Sequence, residues 1–170
     1  ALARHLVGRG LRACVIRHPM PYGDLERQAV QRFATADDLA RAECTIEERE
    51  EYEPYVEMGT CVYAGVDYVG VLALAESESD VILWDGGNND FSFLAADLVV
   101  TVVDPLRAGH ELRFHPGETN LRMADVVVIS KASRASEAEP AEVERNAARL
   151  APSAEVVRHD SEVTLDEPDA

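Results

Sequence analysis

Short apolar runs recur along this chain, and stretches of helical length separate them. The runs predict buried strands at residues 11–17, 60–63, 80–85, 98–104, 126–130 and 155–158. The segments between them predict helices at residues 1–7, 25–33, 46–57, 68–77 and 140–150. Alternation of buried strands with helices is typical of α/β proteins. We therefore expect a doubly wound, mostly parallel sheet flanked by helices.

Local signals mark the ends of three of these helices. Thr45 followed three residues later by Glu48 predicts a capping box at the start of the third helix. Asp67 is placed to cap the fourth helix. Gly10 follows the first helix, where a residue with positive φ often ends a helix. These signals support the helix positions independently of the apolar pattern.

The chain has the length of one domain. With 170 residues it can bury roughly 70% of its unfolded surface without disulfides. We expect one α/β domain over residues 1–160, followed by an acidic linker at 161–170 that leads toward a further C-terminal region. The chain opens inside a helix, which indicates a domain of a longer protein.

The charge balance is strongly acidic, with 32 acidic and 16 basic residues and a formal net charge of -16. The negative electrostatic field of such a chain repels phosphate backbones, which argues against general nucleic-acid binding. Lys131 is the only lysine. Acidity with arginine in place of lysine is typical of a salt-rich, halophilic cytoplasm, where charges are screened within about 3 Å at 1 M salt. A high-GC genome produces the same arginine bias, so both explanations stay open.

The cysteines and the hydropathy pattern indicate the compartment. Cys14, Cys44 and Cys61 are widely spaced and odd in number, which predicts free thiols and no zinc site. No apolar stretch has the length of a membrane span, and no signal-peptide pattern occurs at the start. We expect a cytoplasmic protein without a membrane partner.

The run VILWDGGNNDFSF, residues 81–93, is the strongest candidate for chemistry. Asp85 ends a predicted strand, and ligands collect at the carboxyl ends of such strands. A carboxylate there, followed by Gly86 and Gly87, suits a water-bound Mg²⁺ beside a nucleotide phosphate. The alternative is a simple Gly/Asn turn. The polar residues that follow, Asn88, Asn89 and Asp90, exceed what a turn requires and favour a functional segment.

Arg17 and His18 end the first predicted strand and precede PMPYGD. Their side chains suit an anionic ligand, and Asp24 could act on a metal or a proton. The alternative is a rigid turn in which Asp24 caps the following helix.

Asp104 opens the connection PLRAGHELRFHPGETNLR, which concentrates basic residues in an acidic protein. The basic members are Arg107, His110, Arg113, His115 and Arg122. Such a patch predicts a small, highly charged anionic substrate. The case for a metal site here is weaker, because the spacing of His110 and His115 in HExxxH does not place two histidines on one helical face. A solvated loop with charge pairs is the alternative.

The last candidate is Lys131, which follows the run VVVIS. In nucleotide-binding sheets that end in Asn-Lys-x-Asp, the lysine covers the base and the aspartate reads guanine. Here Ser130 and Ser133 take the two polar positions, so guanine specificity is doubtful.

These motifs together resemble the cyclic 2,3-diphosphoglycerate synthetase family, P-loop proteins related to the SIMIBI class of NTPases. The matching stretches are RHPMPYGDL, QAVQRFAT, CTIEEREEYEPYVE, VYAGVDY, VILWDGGNNDFSF, VVDPLRAGHELRFHPGETNLRMADVVVISK and VTLDEPDA. The resemblance implies an ATP- and Mg²⁺-dependent ligase that joins the two phosphates of 2,3-bisphosphoglycerate as an intramolecular anhydride.

The positions of the candidate residues suggest individual roles in this reaction. Catalytic candidates are Asp24, Asp85 (through Mg²⁺) and His110; substrate-binding candidates are Arg17, His18, Asn88, Asn89, Asp90, Arg107 and Arg113; nucleotide-binding candidates are Gly86, Gly87 and Lys131. The family's N-terminal strand and glycine-rich phosphate loop are expected to precede residue 1. We therefore expect these 170 residues by themselves to show no turnover.

Other functions stay open at this stage. A regulatory or metallochaperone-like GTPase of the same fold would bind a protein partner and use hydrolysis as a switch. A third possibility is a domain that no longer binds nucleotide and whose folded surface serves only the assembly of a larger protein complex. The oligomeric state is not determined by the sequence, and a homo-oligomer is compatible with it.

Overall fold

The computed structural model describes residues 2–18, 20, 23–86 and 91–160. These residues form two compact units, one over residues 1–93 and one from Leu94 onward. Each unit contains its own sheet. The single domain expected over residues 1–160 stays a prediction. Within the described residues, no helix is both long and apolar enough to cross a membrane.

The first unit consists of four helices and a four-stranded sheet among its described residues. Its elements are α1 (Leu2–Gly8), β1 (Ala13–Arg17), β2 (Gln31–Phe33), α2 (Ala36–Arg41), α3 (Ile46–Glu57), β3 (Cys61–Ala64), α4 (Tyr68–Glu78) and β4 (Val81–Trp84). The strand order is β2-β3-β1-β4, with β1 parallel to both β3 and β4. The carboxyl ends of β1 and β4 therefore lie side by side, Ile16 opposite Trp84.

The capping signals in the sequence are confirmed. Thr45 and Glu48 form the expected capping box, in which the Glu48 side chain accepts from the Thr45 backbone N–H at 2.9 Å. Asp67 accepts from the Gly70 backbone N–H at 3.0 Å. Gly10 has φ of +81°, and the Leu11 N–H bonds the Leu6 carbonyl at 3.2 Å, as in a Schellman motif.

The predicted helix at 25–33 is wrong. Its last three residues form β2, which pairs with β3 in antiparallel register and buries Phe33 against the ring of Tyr52. The carbonyls of Gln28 and Ala29, which a helix would use internally, instead accept from Val66 and Asp67. Gly65 permits this approach, because a Cβ there would lie 2.3 Å from the Ala29 carbonyl oxygen. Tertiary pairing thus overrides the helical pattern.

Glu43 ends α2 in a conformation that L residues avoid. Its φ is +54°, and the Cys44 N–H reaches back to the Leu39 carbonyl at 3.2 Å. The same motif ends α3, where Gly59 has φ of +74° and the Thr60 N–H bonds the Tyr55 carbonyl at 2.9 Å. The chain therefore contains a matched pair of helix ends, one with glycine and one with glutamate.

We expect Glu43→Gly to raise the free energy of unfolding of the first unit by about 1 kcal/mol, because glycine removes the steric cost of positive φ. Gly59→Ala should lower it by about 1 kcal/mol, and open space around Gly59 leaves backbone strain as its cause. Urea unfolding followed by the fluorescence of Trp84, the only tryptophan, reports on this unit. Shifts of the same sign for both variants would contradict the argument.

The second unit contains a three-stranded parallel sheet in the order β5-β6-β7. Its elements are β5 (Val100–Val103), α5 (Gly117–Met123), β6 (Val126–Ile129), α6 (Ala138–Leu150) and β7 (Glu155–Arg158), with 3₁₀ turns at Pro105–Arg107, His110–Leu112 and Ala132–Arg134. Leu121, Val127 and Val143 are fully buried in its core. On the outer strand β5, Val100 and Val102 are 44% and 64% exposed.

The expected fold class is confirmed in its main features. All pairings between described strands are parallel except that of β2 with β3, and helices accompany both sheets. The six predicted strands all occur, with ends that differ by at most two residues. The strands fall into two sheets, where the sequence predicted one. The apolar pattern defines strands but contains no signal for which of them pair.

Candidate functional site

Asp85 stands directly after β4, where the sequence places it. Its Oδ2 accepts a hydrogen bond from the Tyr55 hydroxyl at 2.6 Å and lies 2.6 Å from Nη1 of Arg17. Its backbone N–H also donates to the Ile16 carbonyl at 3.1 Å, so the sheet pairing continues up to this residue. Strand β4 and helix α3 thus both position the carboxylate.

Arg17, at the end of β1, holds two carboxylates together. Besides Asp85, its Nη2 lies 2.5 Å from Oε2 of Glu51 on α3, and the Arg17 side chain is only 18% exposed. Burial acts to lower the pKa of Arg17, but the hydrogen bond that Arg17 donates to Glu51 and the negative charges of Asp85 and Glu51 raise it overall. The guanidinium is therefore permanently charged. We call Arg17, Glu51, Tyr55 and Asp85 the Asp85 cluster.

Tyr55 follows Glu51 by one helical turn, which brings both side chains to the same face of α3. Burial, and then the hydrogen bond to Asp85, raises the pKa of Tyr55 to about 12. The hydroxyl thus stays protonated near neutral pH and acts as a donor. Tyr55 was not among the residues singled out from the sequence. The i, i+4 spacing of Glu51 and Tyr55 was the available signal.

The Asp85 cluster fits a magnesium ion held through water. The contacts of the Asp85 side chain with Tyr55 and Arg17 both use Oδ2, and that side chain is 39% exposed. Among the described residues, no three histidine, cysteine or acidic side chains gather as a metal cage. Mg²⁺ commonly keeps its waters and uses one or two carboxylates beside nucleotide phosphates. Asp85 would orient those waters, and Mg²⁺ would neutralise phosphate charge.

His18 and an aromatic group lie at the same sheet edge. The Tyr68 hydroxyl lies 3.2 Å from Nε2 of His18. Tyr68 stacks on Phe93 with ring centres 3.7 Å apart, and Trp84 meets Phe93 edge-on at 4.5 Å. Tyr68 and Phe93 were not singled out by the sequence, because an aromatic residue in isolation signals only packing.

Asp24 lies in an exposed turn of the first unit. Its Oδ1 accepts from the Glu26 backbone N–H at 2.9 Å, and Arg27 is 3.9 Å away. The turn agrees with the alternative in which Asp24 organises the local backbone. Its catalytic role stays a prediction. Gly86 is exposed after Asp85, and Gly87, Asn88, Asn89 and Asp90 lie outside the described residues, so the roles expected of them also stay predictions.

Lys131, in the second unit, bonds the carboxylate at the neighbouring strand end. Its Nζ lies 2.8 Å from Oδ2 of Asp104, and its backbone has φ of +52°. The hydrogen bond from Lys131, then that from the Leu106 N–H, holds the pKa of Asp104 below its usual range despite partial burial. This pairing stabilises the unit above the ordinary aspartate pKa, and it is lost as the pH falls through the lowered pKa.

The two serines beside Lys131 have structural partners. Ser130 is buried, and its hydroxyl donates to the Val103 carbonyl at 3.2 Å. The Ser133 backbone N–H donates to Oδ1 of Asp160 at 2.6 Å. This carboxylate, directly beyond β7, was not identified from the sequence. An aspartate after the last strand at the carboxyl edge was the signal.

The basic connection after β5 is folded. His110, Arg107 and Arg113 are exposed on its 3₁₀ turns, and the His110 ring meets Phe114 edge-on at 4.8 Å. Glu111 is buried and bonds both the Gly109 N–H and the Asn146 side chain, at 2.8 and 2.7 Å. The connection, for which a solvated loop with charge pairs was the alternative, thus consists of turns anchored on α6. The phosphate-binding roles stay predictions.

Comparison with known proteins places this chain in a family of nucleotide-binding proteins. The family described as CobW/HypB/UreG, nucleotide-binding domain, matches residues 66–158, more than half of the chain. The chain belongs to this family. The P-loop NTPase class expected from the sequence is thereby confirmed, and so is nucleotide binding as the family's activity.

One curated relative of the chain is similar to it over almost its whole length. Arginine synthetase ArcE of Thermococcus kodakarensis is 54% identical over 168 residues, which cover 99% of this chain. The chain spans 38% of that relative's length. This partial coverage agrees with the expectation from the sequence that the chain is part of a longer protein.

The three cysteines, Cys14, Cys44 and Cys61, have thiols of raised pKa, chiefly through burial. The pKa of Cys44 rises to about 11, with the charge of Glu48 as the second cause. The stability contributed by this neutral thiol is present below about pH 8.5 and is lost as the pH rises toward 11.

We expect Cys44 in the native protein to react with iodoacetamide at pH 8 about tenfold more slowly than a free thiol, or slower still, because few thiolates form. The rate should climb steadily between pH 8 and pH 11, since the pKa is about 11. Peptide mass spectrometry of timed samples measures this, with urea-unfolded protein as the control. A plateau near pH 8.5 in the native state would contradict the raised pKa.

Proposed function

We propose that this chain is the nucleotide-handling part of an ATP-dependent synthetase that makes arginine. The observation that carries this proposal is the 54% identity to a relative named arginine synthetase across 99% of the chain. Membership of a nucleotide-binding family supports it, because a synthetase couples bond formation to nucleotide cleavage. The Asp85 cluster, with its partly exposed carboxylate, supports Mg²⁺ as the ion that accompanies the nucleotide.

The product defines the chemistry. Arginine is citrulline with the ureido oxygen replaced by nitrogen, so the simplest reaction joins citrulline, ammonia and ATP. The ureido oxygen takes the γ-phosphoryl group, ammonia attacks the carbon, and the C–O bond breaks. The oxygen leaves in phosphate, with arginine and ADP as the other products. Such a reaction depends mainly on positioning and charge neutralisation.

The second candidate is the cyclic 2,3-diphosphoglycerate synthetase reaction implied by the sequence resemblance. The exposed Arg107, His110 and Arg113 favour it, because an anionic substrate needs cations in a protein of net charge -16. Both candidates are synthetases that use the γ-phosphoryl group to activate an oxygen atom. They differ in the substrate that receives it.

The deciding experiment incubates the full-length protein with ATP and Mg²⁺ in two reactions. One contains citrulline and ammonium, and the other contains 2,3-bisphosphoglycerate. Mass spectrometry measures arginine, and phosphorus NMR measures a cyclic anhydride. We expect arginine that depends on ATP and ammonium. Anhydride without arginine would establish the second candidate, and hydrolysis of GTP without either product would support the regulatory GTPase.

A further inference from the structure

A cavity of about 560 Å³ lies in the first unit, apart from the Asp85 cluster. It is bounded by the turn after Gly23, by β2 and α2, and by the start of α3. Neither Arg17 nor Asp85 is among its described lining residues. Its volume is within the range of small-molecule sites.

The walls of the cavity carry both charge signs. Arg27, Arg32 and Arg41 line it together with four acidic residues, among them Asp24 and Glu43. A polyanion such as a bisphosphorylated acid would meet more negative than positive groups here. A zwitterion would find a partner for each of its charges. The lining thus selects a ligand with separate positive and negative groups.

Most of these charges already have partners within the protein. Arg32 donates to Glu78 at 2.8 Å, and Arg41 pairs with Asp38. Arg27, in contrast, is 3.9 Å from Asp24 and is 81% exposed. Among the described residues, Glu43 has no ion pair or hydrogen bond through its side chain. Glu43 is therefore unpaired among the described residues, and Arg27 has only a distant, exposed partner.

Two features of the cavity wall cost stability without a compensating contact. Glu43 adopts φ of +54°, where glycine would fit without strain. Gln28 also lines the cavity, and its amide oxygen is buried without a hydrogen-bond donor among the described residues.

We propose that this cavity binds the free α-amino acid from which arginine is made, with Arg27 on its carboxylate and Glu43 on its ammonium group. This proposal rests on the proposed function for the choice of amino acid. The mixed charge of the lining, the weakly paired Arg27, and Glu43, which is unpaired among the described residues, support a zwitterionic ligand independently of that choice.

Calorimetry on the full-length protein tests the site, with citrulline and two trimmed analogues as probes. One analogue lacks the α-carboxylate and the other lacks the α-amino group. Arg27→Gln should weaken citrulline about tenfold and leave the decarboxylated analogue unchanged. Glu43→Gly should weaken citrulline by a similar factor and leave the analogue without the amino group unchanged. Glu50→Gln on the exposed face of α3 is the matched control, and it should alter none of the affinities.

Glu43→Gly separates binding from folding, because this variant should be more stable than the wild type. Lower affinity in a more stable protein cannot result from unfolding. Arginine synthesis with an unchanged KM for citrulline in both variants would overturn the site and leave the proposed function standing. Amino-acid binding that both variants weaken, in a protein that makes no arginine, would support the site and overturn the proposed function. If no amino acid binds and no arginine forms, both fail.

Discussion

Asp85→Asn should lower kcat of the full-length protein in the proposed reaction by about 10²–10³-fold. Asparagine retains an oxygen for the Tyr55 hydroxyl, which donates to Asp85 at 2.6 Å, so the local geometry is largely preserved. The change removes the negative charge that would hold the waters of Mg²⁺, and the loss of one such electrostatic contact has this magnitude in other enzymes. Steady-state rates over a range of Mg²⁺ concentrations measure the effect.

Tyr55→Phe is the control for Asp85→Asn. It deletes only the hydroxyl that donates to Asp85, and the carboxylate charge and its 2.6 Å contact with Arg17 remain. We expect a loss of about fivefold or less, consistent with one hydrogen bond of about 1 kcal/mol. Equal losses in both variants would show that Asp85 acts through geometry and not through charge.

Arg17→Met should lower the free energy of unfolding of the first unit by about 2 kcal/mol. The guanidinium is the common partner of Glu51 and Asp85, and its removal leaves two neighbouring carboxylates without a cation. Both carboxylates are about one-third exposed, which limits the effect relative to a fully buried pair. Trp84 precedes Asp85 by one residue, so urea unfolding followed by its fluorescence measures the change.

Charge removal should rescue the Arg17→Met variant. In the background of Arg17→Met, adding Glu51→Gln removes one of the two facing charges and should recover about half of the lost stability. Glu51→Gln in the wild type should instead be destabilising, because it takes one acceptor from Arg17. Additive losses in the double variant would mean that repulsion is not the cause.

The sequence predicted the strands well and their assembly only in part. The strand β7 was predicted with its observed ends, and α3 likewise, because buried runs and a capping box are local signals. The antiparallel strand β2 was missed. Its three residues are too few for a periodic pattern, and its stability comes from pairing with β3 across more than 25 residues of chain.

In the candidate site, too, the sequence indicated the local features and missed the long-range contacts. Arg17 and Asp85 were expected at one sheet edge because carboxyl ends of parallel strands meet, and the structure brings them to 2.6 Å. The sequence did not indicate that Arg17 would be neutralised by two carboxylates, since Glu51 approaches it from a helix in another part of the chain. Arg17 was expected to bind substrate phosphates, and that role stays a prediction.

The exposed valines of β5 have a consequence for the colloidal behaviour of the chain. An outer strand with Val100 and Val102 open to solvent can add a strand from another copy. At low ionic strength the net charge of -16 keeps copies apart. At about 1 M salt that repulsion acts only over about 3 Å, and light scattering should then rise with protein concentration. The acidity of the surface thus acts as a barrier to self-association that salt removes.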